Sequence, residues 1–351
     1  MKPWRGTMGC LFLLMLVVLD TVLIPGSAHA ASEGPNCQSF NVPVALGVGL
    51  PVVYTIYAER CDPPGGSSHT IQVLVPGGTY GHIYWNFPYE PQNYSYVHAL
   101  TAAGYSTFSI DRIGIGESSH PLIGSVTITM GINAYIVHEI IQDLRHGRIG
   151  NVSFDHVLLV GHSLGSVTDW VEAGTYHDVD GVIISGLLHH LNTLSLLTVV
   201  GTLYPTILDP RFAGKGYVGY LTTVPGTRGR DFYYLPGTDP NVLAMDEATK
   251  ETATPGEFGS FALPIVDGIS MQIQVPVLVV VGQQDALFCG FAATNCSSAA
   301  SVQQAEAPYY TRQAQLHVVV IPQAGHDLNL HKTAPLWFAA ATTWSLQHVA
   351  P

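Results

Sequence analysis

The chain has 351 residues, of which 47% are apolar and only 11% are charged. A chain this apolar can fill a hydrophobic core, which excludes an intrinsically disordered protein. The net charge of −12, with only 13 lysines and arginines, argues against a nucleic-acid partner, because phosphate binding needs a basic face. The length fits one large domain or two small ones.

The N-terminus has the parts of a secretory signal peptide. Lys2 and Arg5 form a positive start, an apolar stretch follows, and residues 28–30 have the small-x-small pattern that a signal peptidase cleaves. We therefore predict that residues 1–30 are removed and that residues 31–351 form a secreted domain. Since no later run of about 18 apolar residues occurs, the sequence predicts no stable membrane anchor.

Four cysteines remain in the predicted mature chain, and an exported protein meets oxidising conditions. Three pairings of them are possible. The sequence-local one, Cys37 with Cys61 and Cys289 with Cys296, is preferred because each pair flanks a plausible hairpin or loop. The alternative is four free, buried thiols. Three Asn-x-Ser/Thr motifs, which also arise often by chance, predict surface glycosylation at Asn93, Asn151 and Asn295.

Short β-branched runs alternate with helical stretches along the chain, which is the pattern of a mostly parallel α/β sheet. Two antiparallel strands are expected first, within residues 42–57. The strands predicted after them are residues 70–75, 106–110, 156–160, 179–185, 276–281 and 316–321. The predicted helices are residues 94–103, 132–146, 163–173 and 334–348.

The alternation is interrupted once, between residues 185 and 276. A stretch of this length is too long for a bare loop. It is either an extra helical layer or a cap over a substrate site, and we favour a cap at about residues 187–263. The aromatic residues of this segment indicate an apolar or aromatic substrate group, or only pack the cap: Tyr204, Phe212, Tyr217, Tyr220, Phe232, Tyr233 and Tyr234.

The pattern Gly161-His162-Ser163-Leu164-Gly165 lies directly between an apolar strand and a predicted helix. Flanking glycines permit a sharp turn that exposes the serine hydroxyl. The N-terminus of the helix directs backbone N–H groups and a partial positive charge to the same place. This context predicts that Ser163 is a nucleophile, the alternative being a glycine-bordered turn with an inert serine.

A serine nucleophile needs a base, and the base needs an acid that orients it. Asp285 follows a late apolar strand and His326 follows the last one, which gives the chain order Ser, Asp, His. Asp327 and Asp111 are the weaker candidates for the acid. No group of histidines, cysteines and carboxylates has the spacing of metal ligands, so neither a metal nor a cofactor is predicted.

Stabilisation of an oxyanion needs two backbone donors. One is predicted to be the N–H of Leu164, the residue after the nucleophile. The other is expected from the glycine-containing loop at residues 76–80, where Gly78 is the first candidate and Thr79 the second. The alternative for this loop is a plain tight turn.

These motifs resemble the α/β-hydrolase superfamily, and within it secreted fungal-type esterase and lipase-like members. The resemblance covers essentially the whole mature chain and is carried by residues 76–85, 111–118, 161–165, 282–285 and 325–331. It implies an eight-stranded, mostly parallel sheet flanked by helices, a Ser-His-acid triad, no cofactor, and a cap after the sixth strand. The chain departs from the family pattern at one point, because many relatives have histidine at the position of Pro76. This departure concerns the positioning of the oxyanion loop and not the identity of the triad.

Some members of this superfamily use a carboxylate as the nucleophile, whereas this chain has Ser163 at that position. The resemblance therefore implies a reaction at an acyl group. We expect a secreted serine hydrolase of small hydrophobic esters or lactones, in which His326 is general base and then acid, and Asp285 holds its tautomer. Gly78 and Leu164 would stabilise the oxyanion. Two alternatives remain: a tailoring hydrolase or acyltransferase of fungal secondary metabolism, and a non-catalytic binding protein with the same fold.

Overall fold

The computed structural model describes residues 1–4, 34–122, 124–291 and 293–351. Most of the predicted signal peptide, residues 5–30, therefore lies outside the described residues. The first four residues form no helix or strand, and residues 34–351 form a unit of their own. Among the helices described, none is long and apolar enough to cross a membrane.

The described strands and helices begin at residue 36, with three strands before the first helix. The strands are β1 (Asn36–Val44), β2 (Tyr54–Asp62), β3 (Thr70–Val75), β4 (Ser106–Ile110), β5 (His156–His162), β6 (Gly181–Ser185), β7 (Leu203–Pro205), β8 (Leu221–Thr223), β9 (Val277–Gly282) and β10 (His317–Ile321). The helices are α1 (Pro91–Tyr94), α2 (Tyr96–Ala102), α3 (Met130–Arg145), α4 (Leu164–Tyr176), α5 (Thr193–Val200), α6 (Arg228–Phe232), α7 (Pro240–Thr249), α8 (Pro255–Ser260), α9 (Ala262–Val266), α10 (Ala299–Glu306) and α11 (Ala334–His348).

Eight of these strands form one sheet, in the order β1-β2-β4-β3-β5-β6-β9-β10. The pairs β1–β2 and β2–β4 are antiparallel, and the other neighbouring pairs are parallel. Strands covered on both faces need apolar residues throughout, and β9, with the sequence VLVVVG, is buried along its whole length. The predicted eight-stranded, mostly parallel sheet flanked by helices is confirmed. Its first two strands, expected within residues 42–57, lie further out, at residues 36–44 and 54–62.

The helix predicted at residues 94–103 corresponds to α2, which begins two residues later, and the short helix α1 ends just before it. Ser95 has an extended backbone (φ −100°, ψ 113°), and its side chain accepts a hydrogen bond from the His98 N–H, so that it caps α2. The helix predicted at residues 132–146 begins two residues earlier, because Thr129 caps it in the same way. The C-terminal helix has the predicted bounds.

The long segment between β6 and β9 contains the helices α5–α9 and a two-stranded ribbon of β7 and β8. We call residues 187–263 the insertion. The insertion is folded rather than a bare loop, and its role as a cap over substrate stays a prediction at this point.

The four cysteines of the described residues are joined as Cys37–Cys61 and Cys289–Cys296, the sequence-local pairing. Cys37 and Cys61 lie opposite each other in the β1–β2 register. The predicted glycosylation sites differ in exposure: Asn151 and Asn295 are exposed, whereas Asn93 is half-buried in α1. Glycosylation at these positions stays a prediction.

Candidate active site

Ser163 occupies the turn between β5 and α4. Its backbone lies at φ 53°, in the region that favours glycine, and ψ −117°. A Cβ added to Gly165 would lie 2.1 Å from the Val75 carbonyl oxygen, and one added to Gly161 would lie 2.5 Å from the Ser166 nitrogen. Both glycines are therefore required by close backbone contacts, and the turn that they permit presents the serine side chain outside the helix.

Asp285, His326 and Ser163 form a hydrogen-bonded chain. The Nδ1 atom of His326 lies 2.9 Å from Asp285 Oδ2, and its Nε2 atom lies 2.9 Å from Ser163 Oγ. The other oxygen of Asp285 accepts a hydrogen bond from the Leu287 N–H at 2.9 Å. Asp285 follows β9 and His326 follows β10, and these strands are parallel neighbours, so their carboxyl ends meet at one edge of the sheet.

The environment of His326 favours its protonated form. Burial alone lowers the pKa of this imidazole, but the Asp285 carboxylate at Nδ1, assisted by the charge of Asp327, outweighs burial and raises the pKa above its usual value of 6.5. The backbone N–H of His326 donates to the Phe232 carbonyl oxygen at 2.9 Å, which joins the histidine loop to the insertion. A base of this kind can take a proton from Ser163 and hold it as an imidazolium next to Asp285.

The two other acid candidates have different partners. Asp327 is buried, accepts a hydrogen bond from the Tyr80 hydroxyl, and lies 3.3 Å from Nε2 of His162. Asp111 accepts hydrogen bonds from the backbone N–H of Glu117 at 2.9 Å and from that of His82 at 2.6 Å. Neither carboxylate is hydrogen-bonded to the His326 imidazole.

The loop at residues 76–80 lies against the serine turn. A Cβ added to Gly77 would lie 3.1 Å from Ser163 Cβ, and one added to Gly78 would lie 2.7 Å from Leu164 Cδ1. Within the described part of the chain, the N–H groups of Gly78 and Leu164 have no hydrogen-bond acceptor. Both are therefore available to a substrate oxygen, as an oxyanion hole requires.

A buried arginine, Arg112, fixes the backbone of this loop. Its Nη1 atom donates to the carbonyl oxygens of Pro76 and Gly77, the second at 2.9 Å, and its Nε atom donates to Glu257 at 2.8 Å. In the sequence, residues 111–118 served only as part of the family resemblance, and nothing there connected Arg112 with the site. The arginine directly after a buried strand, among glycines, was the available signal.

A second buried arginine, Arg228 from α6 of the insertion, holds the end of the same loop. Its guanidinium donates to Thr79 Oγ1 at 3.0 Å and to both oxygens of Asp246 at 2.8 and 3.0 Å. It also lies 4.1 Å from the centre of the Tyr80 ring. Thr79 has a φ of 63°, so the side-chain bond to Arg228 helps to hold a backbone conformation that threonine rarely adopts. No sequence motif indicated this contact.

An apolar cavity opens above Ser163 and His326. The insertion contributes aliphatic and aromatic side chains to its wall, among them Leu196, Val199, Leu203, Phe232, Phe258 and Phe261. Of the seven aromatic residues that the sequence singled out in the insertion, Phe232 alone lies among these lining residues. The hydroxyl of Tyr233, for example, donates to Asp246 at 2.7 Å, so this residue supports the Arg228 contact instead.

Comparison with known proteins agrees with this architecture. The model of the alpha/beta hydrolase family matches residues 72–341, which is more than half of the chain. The chain belongs to the alpha/beta hydrolase family. A search of the curated proteins found no match.

Solved structures of several alpha/beta hydrolases are similar in fold. A thermophilic esterase from Thermogutta terrifontis has 19% sequence identity and a TM-score of 0.57, with 90% of this chain and 100% of that chain covered. A soluble variant of monoglyceride lipase from Saccharomyces cerevisiae has 15% identity and a TM-score of 0.60, with 91% and 97% covered. A carboxylesterase from Bacillus subtilis has 14% identity and a TM-score of 0.54, with 90% and 92% covered. At these identities the similarity establishes the fold.

Proposed function

We propose that this alpha/beta hydrolase is a serine esterase that cleaves small esters or lactones with an apolar acyl or alcohol group. The observation that carries this proposal is the Asp285–His326–Ser163 chain, with both hydrogen bonds at 2.9 Å, next to an apolar cavity. A silent binding protein would have no need of a strained serine turn joined to a base and an acid.

The reaction follows from the positions of these groups. His326 Nε2 takes the hydroxyl proton as Ser163 Oγ attacks the carbonyl carbon, and the N–H groups of Gly78 and Leu164 donate to the oxyanion that forms. The imidazolium then protonates the leaving alcohol. Water attacks the acyl-enzyme with His326 again as base, and Asp285 keeps the Nδ1 proton in place throughout.

The wall of the cavity indicates the substrate class. The residues that line it are aliphatic, aromatic or uncharged polar residues apart from the catalytic histidine. A charged acyl group would lose its hydration there without gaining a partner of opposite charge. We therefore assign uncharged esters to this site, with the apolar portion held by Leu196, Phe258 and Phe261 of the insertion.

The test is hydrolysis of p-nitrophenyl esters of increasing acyl length by the purified protein and by a Ser163→Ala variant. The variant should lose about 10⁴-fold or more in kcat, by analogy with other triads, and keep its melting temperature. Thr175→Ala, which removes an exposed hydroxyl of the same helix, is the matched control and should keep its turnover. Near-normal turnover by the Ser163 variant would contradict the proposal.

We also propose that the protein is exported. The N-terminal signal pattern and the two disulfide-bonded pairs support this. Intact-mass measurement of the protein from its native source should give a chain that starts near Ala31, with no thiol open to alkylation before reduction. The fungal resemblance and a role in secondary metabolism stay predictions of the sequence, and ester formation from an added alcohol would favour the acyltransferase alternative.

A further inference from the structure

A histidine and two carboxylates meet at a place that the proposed reaction does not use. His138 lies on α3, Glu172 near the end of α4, and Asp178 in the loop that follows α4. One ligand atom from each lies within 4.8 Å of the other two. Glu172 comes nine residues after Ser163, so this cluster is about 13 Å along α4 from the serine turn. It is therefore separate from the candidate active site.

Glu172 has no hydrogen-bond donor among its neighbours in this cluster. Its side chain is fully buried, and within the described chain no donor group reaches either of its carboxylate oxygens. The carboxyl group of Asp178 lies within hydrogen-bond reach of Glu172, a contact that needs a proton on one of the two groups. The Oδ1 atom of Asp178 is likewise buried, and within the described chain no donor group reaches it. A buried carboxylate is costly unless a proton or a cation neutralises it. Two buried carboxyl groups this close, with three oxygens that no donor reaches, need either a shared proton or a bound cation.

The neighbouring residues already hold His138 and Asp178 in position. The imidazole stacks on the ring of Tyr176 at a centre-to-centre distance of 4.0 Å, and its Nδ1 atom lies 2.7 Å from Asp178 Oδ2. Gln142 donates to the same oxygen at 2.6 Å, and Arg145 donates to the Asp178 backbone carbonyl oxygen. Oriented ligands of this kind are typical of metal sites.

The donor set indicates which class of ion would bind. One imidazole nitrogen and two carboxylates suit zinc and similar divalent transition metals, whereas calcium and magnesium prefer oxygen ligands alone. Ligands about 2.0–2.2 Å from a tetrahedral zinc ion lie about 3.3 Å apart, so the cluster needs only small side-chain movements. The side chains of His138 and Asp178 are 22% and 13% exposed, which leaves a path from solvent.

We propose that His138, Glu172 and Asp178 bind a divalent transition-metal ion, with zinc as the probe and water completing the shell. The ion would join α3 to the end of α4 and would stabilise the fold without entering the proposed reaction. His138 and Glu172 are 34 positions apart and Glu172 and Asp178 are 6 apart, so the three residues form no short metal-ligand motif in the sequence.

The test uses zinc alone with the full chain. The purified protein is equilibrated with excess zinc, dialysed against zinc-free buffer, and assayed for metal content by mass spectrometry and for its melting temperature. His138→Phe keeps a ring to stack on Tyr176, and Glu172→Gln keeps the shape of the side chain. His69→Phe is the matched control, because His69 forms an exposed pair with Asp155 at 3.0 Å.

We expect wild type and the His69 variant to retain one zinc ion per chain that raises the melting temperature. Both cluster variants should bind zinc at least tenfold more weakly and show no zinc-dependent rise, while their metal-free melting temperatures stay close to that of the metal-free wild type. Absence of retained zinc in wild type, or its retention by either cluster variant, would overturn the proposal. Glu172 would then be a neutral acid that donates to Asp178, since burial raises its pKa.

Discussion

Replacing Asp285 by asparagine should force the wrong tautomer on His326. The Leu287 N–H donates to Oδ1 of Asp285, so the oxygen of an asparagine would stay at that position. Its NH₂ group would then face Nδ1 of His326, 2.9 Å away, where a hydrogen-bond acceptor is now required. The imidazole proton must move to Nε2, and the ring loses its ability to accept the proton of Ser163.

We expect Asp285→Asn to lower kcat by about 10⁴-fold, as loss of tautomer control does in other triads. This loss corresponds to about 5 kcal/mol of transition-state stabilisation. The assay is p-nitrophenyl acetate hydrolysis under saturating conditions, with circular dichroism to verify the fold. KM should change little, because Asp285 is not among the residues that line the cavity.

Asp327→Asn is the control for this prediction, since Asp327 is adjacent in sequence and equally buried but binds Tyr80 and His162 instead. It should cost about tenfold or less in kcat, because the triad keeps its tautomer. If Asp327→Asn proves to be the crippling change and Asp285→Asn is mild, the orienting acid is misassigned.

Three further outcomes are expected. Because Asp285 raises the pKa of His326, kcat/KM should increase with pH and reach half its maximum above pH 6.5; a midpoint below 6.5 would contradict the electrostatics. Burial raises the pKa of Asp169, so the folded protein keeps a proton on this carboxyl that the unfolded chain releases above pH 3.8. The free energy of unfolding should therefore decrease as the pH rises above that value. Asp169→Asn should remove this decrease, which amounts to about 1.4 kcal/mol per pH unit when the free energy of unfolding is measured in urea. If that free energy depends on pH in the same way in both proteins, Asp169 does not carry the buried proton. Leu196→Trp should fill the cavity and reduce octanoate hydrolysis at least tenfold more than acetate hydrolysis, whereas an equal loss on both esters would assign Leu196 a structural role.

Local sequence patterns were sufficient for the sheet and for the three members of the candidate triad. A buried parallel strand needs an apolar run, and the groups that follow such strands gather at one edge, so Asp285 and His326 could be placed without knowing the helices. The serine turn was also predictable from the sequence, because steric crowding at Gly161 and Gly165 allows only glycine at these two positions.

Contacts made by the insertion could not be predicted from local sequence patterns. Arg228 reaches Thr79 across 149 positions of sequence, and its role depends on how short helices pack rather than on any period. For the same reason the aromatic content of the insertion identified only Phe232 among the residues that line the cavity. The break at Ser95 depends on a single side-chain cap, which competed with an apolar pattern that continued through it.

The bond between Arg228 and Thr79 has a consequence for how this protein can evolve or be engineered. Because a side chain of the insertion completes the support of the loop that carries Gly78, the two segments are not independent modules. A chimera that receives the insertion of a relative would also need that relative's loop at residues 76–80. Recombination that separates them would produce folded proteins with an intact Ser163 and His326 but poor turnover, so the two segments should be inherited together.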